Sequence, residues 1–446
     1  MKKCLVAIAA FAFTIFGVLP LCEAQSLVGS GQANVGGDGF HVYGVTGSAG
    51  YSSLNLNALS LRDTAGMGGE VYTWAAVALG FAHQKGNHTF HINYTPAYSG
   101  TFQAANLHSF NQNLNFEVTE HVRPQWTMYL RGSADDSTLQ QFLFRPSSSS
   151  QLVSDGNADQ LASTVIGAPG ELPAVTTPLQ TTFYGLRVLS FGSETGIIYK
   201  ASPRLSISAG GGFAQSQSRP DDQNAPSRVL LPRTRLEQGS VNVAYSLSPR
   251  SAIGANASTI STQSGFGNSQ ISIFTGNYGR KLGMHWFGNV AGGIGTFHTS
   301  KTIGSIPSGT SYVASGTLGY QTQSQAWVAS YGRTVGDTYG LVSGSTRTFL
   351  GAWNYKRPGM VWGIVTSGGQ QELKGGPIGT FTTWHASAGL IRAVSSQVNL
   401  SMEYAYIKDT TRPRNQYEDL HAHIVRLTIS WIPLLGEIGA AAKRGR

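Results

Sequence analysis

Hydrophobic and polar residues alternate one by one along much of this chain. The clearest stretch runs from Phe110 to Thr119, where the even positions are mainly aromatic or aliphatic and the odd positions are asparagine, glutamate and threonine. The same pattern returns in residues 126–131, 241–247 and 398–406. A period of two residues places successive side chains on opposite faces of an extended strand. The sequence therefore predicts an all-β protein whose strands have one apolar and one polar face.

Two kinds of connection separate the alternating segments. Short turns rich in Pro, Gly, Ser and basic residues occur at Gln84–Asn87, His121–Pro124, Ala201–Arg204, Leu247–Arg250, Gly279–Gly283, Gln323–Gln325, Lys356–Gly359 and Val394–Gln397. Longer polar stretches lie between them, at 96–108, 214–238, 296–310, 334–346, 367–380 and 408–418. A soluble sandwich has no reason to alternate short and long connections. The pattern is typical of a transmembrane antiparallel up-and-down β-barrel with short periplasmic turns and long outer loops.

The aromatic residues support the same interpretation. Many of them lie within a few residues of a short turn and share the apolar parity of their strand: Trp126, Tyr199, Tyr245, Trp286, Tyr320, Trp327, Tyr355 and Trp362. Aromatics that filled a sandwich core would be spread along the strands instead. We interpret the set as the lower aromatic girdle of a membrane barrel.

Eight short turns, with both chain ends on the periplasmic side, predict 18 strands. If one hairpin is misread, the number is 16. The barrel is expected to occupy residues 51–432, with its first strand at about 51–62 and its last at about 421–431. Residues 25–50 are predicted to form a Gly-rich periplasmic segment, and 433–446 a C-terminal tail. The long 133–182 stretch is expected to cap the mouth or to fold inward as a constriction.

The first 24 residues have the features of a secretory signal peptide. Lys2 and Lys3 precede an apolar stretch that is too short to span a bilayer comfortably, and Ala24 suits cleavage before Gln25. Lipidation at Cys22 is disfavoured because the bulky Leu21 precedes it. The chain has two cysteines, Cys4 and Cys22, so the predicted mature protein contains no thiol.

Composition narrows the class of protein further. Charged residues make up 12% of the chain, about half of the share that is usual in globular domains. The chain contains 56 glycines, and aromatics make up 10%, which argues against a disordered protein. The net charge of +9 is spread along the chain and does not indicate nucleic-acid binding. An exported barrel in the outer membrane fits these values.

At this point the chain resembles outer-membrane β-barrel proteins of the porin type. The resemblance is architectural and rests on hairpins such as Asn113–Arg131 and Tyr199–Arg204. The segment Asn115–Arg131 also resembles poorly characterised barrels that accompany exopolysaccharide systems in Gram-negative bacteria. The resemblance implies insertion by barrel-assembly machinery, which reads an aromatic residue at the end of the last strand. Trp431 fits that position by parity, but residues 432–446 follow it.

Several residues are candidates for catalysis or metal binding. His385 and Ser387 are reminiscent of lipid hydrolases of the barrel type, but their apolar neighbours turn both side chains to the lumen, where lipid does not reach. Asp419, His421 and His423 are expected outside, as a hydrated cluster near the upper rim. His83 and His88 have no third ligand at suitable spacing for a metal. The sequence thus predicts no enzyme activity, no cofactor and no metal site.

The expected lumen face is small, neutral and hydrogen-bonding, with few charges. The pore-lining residues in this hypothesis are Asn113, Asn115, Glu117, Arg131, His385, Glu403 and Arg426. Such a wall suits passive diffusion of small polar solutes. Two alternatives stay open, namely a barrel that assists exopolysaccharide export or binds surface glycans, and a barrel hydrolase. The expected partners are outer-membrane lipids, small polar solutes or polysaccharide, and the insertion machinery; homo-oligomer formation is left open.

Overall fold

The strands join into one antiparallel sheet in which neighbours in the chain are neighbours in space, and the last strand closes the sheet onto the first. The computed structural model describes residues 38–53, 69–101, 108–138, 187–218, 233–265, 267–300, 308–322, 324–356, 359–374, 380–412 and 418–431. Within these ranges no helix is long and apolar enough to cross a membrane. The prediction of a closed up-and-down barrel with 18 strands is confirmed, and the alternative of 16 strands is wrong.

The strands follow in chain order as β1 (Gly39–Ser52), β2 (Glu70–Lys85), β3 (His88–Thr101), β4 (His108–Arg123), β5 (Trp126–Thr138), β6 (Arg187–Lys200), β7 (Leu205–Ser218), β8 (Thr234–Ser248), β9 (Ser251–Ser264), β10 (Gly267–Lys281), β11 (Trp286–Ser300), β12 (Gly309–Gln321), β13 (Gln325–Asp337), β14 (Ser343–Tyr355), β15 (Trp362–Lys374), β16 (Thr380–Ala393), β17 (Val398–Arg412) and β18 (Glu418–Trp431). Each runs for 13 to 16 residues, which is longer than the 9–11 residues or so that a tilted strand needs to cross a bilayer.

The outer face of the barrel is apolar and accessible. Phe274 is 56% exposed and Ile429 is 54% exposed, although both are large hydrophobic side chains. Near the short turns, Trp126 stacks on Tyr199 with ring centroids 4.3 Å apart, and Trp286 contacts Trp327 at 5.0 Å. An apolar outer surface bounded by aromatic rings is what the lipid of an outer membrane requires. The protein is therefore an integral outer-membrane β-barrel.

Three of the short turns share a local cause in their sequences. A Ser or Thr at the start of the turn accepts hydrogen bonds from backbone N–H groups two and three residues further on. Ser202 Oγ accepts from Arg204 N at 3.2 Å and from Leu205 N at 3.0 Å, and Ser395 and Thr322 repeat the arrangement. Such side chains stabilise tight turns by replacing backbone partners.

The barrel begins at Gly39, twelve residues before the predicted start at Tyr51. The sequence pattern does not reveal the start of this strand because β1 contains a β-bulge between Val42 and Gly44, where the register with β2 shifts. A bulge inserts one residue and reverses the parity of the positions that follow. Together with the many glycines of β1, this interrupts the period of two that identifies a strand.

Two connections also differ from expectation. β9 and β10 are joined on the long-loop side by residues 265–266 alone, so long and short connections do not alternate strictly. β5 continues to Thr138, so the first residues of the predicted 133–182 loop belong to the wall. The rest of that loop lies outside the described residues. So do the predicted signal peptide, residues 25–37 of the predicted periplasmic segment and the 433–446 tail, whereas residues 39–50 of that segment belong to β1.

Candidate pore wall

The seven predicted pore-lining residues lie on the inward face of the barrel, on β4, β5, β16, β17 and β18. The direction in which these side chains face follows from the exposure of their neighbours on the same strands. Trp384 and Leu390 on β16 are exposed on the outer surface, as are Met402 on β17 and Ile429 on β18. Side chains one position away point to the opposite face of a strand. The structure gathers these seven residues into two groups, one on β4–β5 and one on β16–β18.

The first group contains a row of charges across three strands. Glu117, Arg131 and Glu194 lie directly opposite one another on β4, β5 and β6. Arg131 Nη2 donates to Glu117 Oε1 at 3.3 Å. Glu194 Oε1 instead accepts from the hydroxyl of Tyr129 at 3.1 Å. The row therefore combines two carboxylates with one guanidinium at the lumen wall.

Tyr129 lies flat along the wall because two glycines leave room for its ring. A Cβ on Gly196 would be 2.4 Å from the Tyr129 hydroxyl oxygen, and a Cβ on Gly210 would be 2.9 Å from it. Both distances are too short for a real side chain. The glycines of β6 and β7 thus position the tyrosine that holds Glu194, and the Arg131 guanidinium lies 5.0 Å from the centre of the same ring.

Polar contacts continue along β4 and β5 toward the loop end. Asn115 Nδ2 donates to Asn113 Oδ1, and Asn113 Nδ2 donates to Asp135 Oδ2 at 3.4 Å. Asp135 is buried, whereas Asn115 is exposed to the lumen. This side of the lumen is therefore lined by amides and carboxylates.

The second group contains the ion pair between Glu403 and Arg426. The two residues are opposite each other on β17 and β18, and Arg426 Nη2 donates to Glu403 Oε2. Gly50 of β1 lies next to Arg426 in register. A Cβ on Gly50 would be 2.5 Å from the Tyr72 hydroxyl, so this tyrosine also lies across a glycine. Each group of wall residues therefore contains a glutamate–arginine pair next to a tyrosine whose ring lies over a glycine.

His385 and Ser387 lie on the inward face of β16 and do not form a catalytic pair. Ser387 Oγ is 2.8 Å from Ser367 Oγ on β15, which is its hydrogen-bond partner. His385 lies opposite Gly369, whose missing side chain makes space for the imidazole: a Cβ there would be 2.8 Å from His385 Cε1. The serine is thus bound to another hydroxyl rather than to a base that could activate it.

The remaining histidine candidates lie away from the lumen wall. His421 and His423 are exposed on the outer face of β18, and their Nδ1 atoms are each 2.8 Å from the hydroxyls of Tyr406 and Tyr404. His83 and His88 each face their own carboxylate. His83 Nδ1 is 3.5 Å from Asp38, and His88 Nδ1 is 2.5 Å from Glu120. Across the described ranges, no three His, Cys, Asp or Glu side chains are placed to hold a metal ion.

Sequence reasoning missed two acidic residues of the wall, Glu194 and Asp135. The signal for Glu194 was the alternation of Ser190, Gly192, Glu194 and Gly196 with more apolar neighbours. It is weak because Ser193 and Thr195 make the outward face of β6 partly polar. The predicted pore-lining set contains two arginines and two glutamates, and Glu194 and Asp135 add two carboxylates to it.

The inner wall is not polar everywhere. On β10, β12 and β13, Ile271, Val313 and Val335 form a buried cluster, and Ile273 and Phe297 pack against it. Ile271 is only 2% exposed. The lumen side of the barrel thus has a polar region on β4–β6 and an apolar region on β10–β12, against which Val335 of β13 packs.

Neither a protein-family model nor a curated protein sequence matches this chain. Among solved structures, the chain is similar to OccK2 (OpdF) of Pseudomonas aeruginosa, with 11% identity, a TM-score of 0.45, and coverage of 89% of this chain and 98% of that one. It is similar to a BenF-like porin from Pseudomonas fluorescens Pf-5, at 10% identity, a TM-score of 0.45 and coverage of 88% and 99%. The FrpB iron transporter from Neisseria meningitidis (F3-3 variant) matches at 10% identity, a TM-score of 0.44 and coverage of 89% and 82%.

Proposed function

We propose that the barrel is a water-filled, porin-like channel for passive diffusion of small polar solutes across the outer membrane. The observation that carries this proposal is the inward polar wall of β4–β6, with Glu117, Arg131 and Glu194 in one row. Barrels of 16–18 strands leave an aqueous lumen, whereas eight-stranded ones are filled by side chains. Charged and amide groups that face this space are hydrated and bind solutes only weakly, which suits diffusion.

The wall charges point to a weak preference for cations. Each inner arginine of the two groups has a glutamate partner, Glu117 for Arg131 and Glu403 for Arg426. Glu194 on β6 and Asp135 on β5 add two carboxylates to this wall. A negative wall raises the local concentration of cations, and salt screens the effect within about 10 Å at 0.1 M.

Planar-bilayer recording of the purified barrel tests the proposal. We expect stepwise conductance, and a reversal potential in a salt gradient that shows slightly higher permeability for the cation. A folded barrel is identified by its altered gel mobility without heating. Folded protein that never conducts would contradict the channel proposal.

The glycan-handling alternative depends on the predicted 133–182 loop, most of which lies outside the described residues. It makes a different prediction for a variant that lacks residues 139–182. If the barrel is a channel, this deletion raises conductance or leaves it unchanged. If the variant stays closed while the intact protein binds polysaccharide, glycan handling replaces diffusion as the function.

A further inference from the structure

The hydrogen-bond ladder between β12 and β13 stops before either strand ends. It reaches from Gln321 and Ala326 to Ala314 and Arg333, and no further. On the two flanks the ladders continue, because β12 still pairs with β11 as far as Gly309 and β13 still pairs with β14 as far as Asp337. The wall is therefore interrupted between β12 and β13 at the loop end.

The loop end of β13 lies against the inner face of its neighbours. Val335 has the parity of Tyr331, which is exposed on the outer surface. Yet Val335 is buried against Val313 and Ile271, two inward residues. A Cβ on Gly295 of β11 would lie 3.6 Å from Val335 Cβ. The outward side of β13 can touch the inward side of β11 and β12 only if its end is tucked inside the barrel.

Arg333 occupies the point where the two strands separate. Its Nη2 atom is 3.2 Å from Ser311 Oγ, and its guanidinium carbon is 3.5 Å from the centre of the Tyr312 ring. Ser311 and Tyr312 belong to opposite faces of β12. The arginine therefore lies at the edge of β12 where the ladder ends, and it covers that edge with hydrogen-bonding and aromatic contacts.

The sequence of β13 also suits continued pairing with β12. If the observed register continued, Val335 would lie opposite Tyr312 on the outer face, and Thr334 and Gly336 would face the lumen. A β-branched residue opposite an aromatic ring is a favourable cross-strand pair. In this paired position the apolar side chain meets lipid and the small or polar ones meet water.

We infer that the loop end of β13, together with β14, moves between a tucked and a paired position and thereby sets the width of the channel mouth. The effect of this movement on the width of the mouth rests on the proposed channel function. In the tucked position the strand end takes up lumen space and Val335 is buried in the apolar cluster. In the paired position the ladder is complete, no strand edge is left at the lipid surface, and the mouth is wide.

Cysteine pairs test both positions, because the chain's two cysteines, Cys4 and Cys22, lie in the predicted leader. Gly295→Cys with Val335→Cys reports the tucked position, since its Cβ separation of 3.6 Å suits a disulfide. Tyr312→Cys with Val335→Cys reports the paired position. Leu318→Cys with Ala329→Cys is the control, because these residues are opposite each other in the ladder that the structure shows.

We expect both reporter pairs to form disulfides in the folded barrel. When the disulfide of the tucked position forms, the barrel should lose its larger conductance level. When the disulfide of the paired position forms, the barrel should lose its smaller conductance level. Reductant should restore the missing level in each case. The control pair should leave conductance unchanged. A paired variant that never cross-links, while the control does, would overturn the two positions. Equal conductance of both cross-linked forms would overturn the link to the mouth. If no variant conducts, the channel function fails, and the cross-links still decide whether β13 moves.

Discussion

The inner wall of this barrel has two regions that obey the same alternation and differ in character. On β4–β6, inward residues are amides, carboxylates and an arginine, held by hydrogen bonds across the strands. On β10–β12, inward residues form an apolar cluster that the end of β13 covers. An inward position in a barrel is thus polar only where water reaches it. Where the chain covers its own wall, the inward face packs like a soluble core.

The largest expected effect comes from a charge placed in the covered region. Ile271→Asp removes apolar contacts and leaves a carboxylate buried next to Val313 and Val335, which should cost about 3–5 kcal/mol of unfolding free energy. Ser133→Asp is the matched change in the polar region, where the side chain is exposed to the lumen. It should cost about 1 kcal/mol or less. Urea unfolding in lipid vesicles measures both, and equal costs would mean that the two regions do not differ in hydration.

A slightly smaller effect tests the assignment of faces on which the comparison depends. Leu400 lies opposite the outward Ile429, and Ser401 lies opposite Thr428 on the inward face. Leu400→Arg should destabilise the barrel by about 1–2 kcal/mol, because the position lies two residues inside the short-turn end of β17, where a lipid-facing arginine costs less than at the bilayer midplane. Ser401→Arg should be tolerated and should shift ion selectivity toward anions. Comparable damage at both positions would show that β17 is buried on both faces.

The polar region can be loosened through its glycines. Gly196→Ala should displace the Tyr129 ring and break its bond to Glu194, at a cost of about 1 kcal/mol. The control is Gly292→Ala on β11, where an added Cβ meets nothing within 4 Å and should have no unfavourable effect. The unfolding free energies of Gly196→Ala, Tyr129→Phe and the double variant give the test. Additive losses would show that the alanine acts through something other than the tyrosine.

The smallest effect is on selectivity, with the fold intact. Glu194→Gln should reduce the preference for cations, and Arg131→Gln should increase it, because both side chains lie at the lumen wall in one row. The reversal potentials of the two variants should shift in opposite directions and converge at high salt. Shifts of the same sign, or none in dilute salt, would place the solute path away from β4–β6.

Much of the wall could be predicted from the sequence because the alternation that defines a barrel strand is visible within a short stretch of residues. Between Phe110 and Arg131 the alternation identified two strands, their turn and their lumen face. It failed at β1, where the bulge after Val42 reverses parity. For Val335 the alternation predicts the outward side of β13, but where that side packs depends on how far β13 stays paired with β12. The extent of this pairing depends on residues that are distant in the chain, so the local alternation does not predict it.

The junction of β1 and β18 has a consequence for the kinetics of assembly. Ser53 and His423 are joined by two hydrogen bonds of 2.8 Å, although 370 positions separate them in the chain. Contacts between such distant residues form late, because the intervening chain must first be ordered. Until β18 arrives, β1 has an open edge that can pair with other chains. Closure of this barrel is therefore a late step of folding that is complete only when β18 pairs with β1.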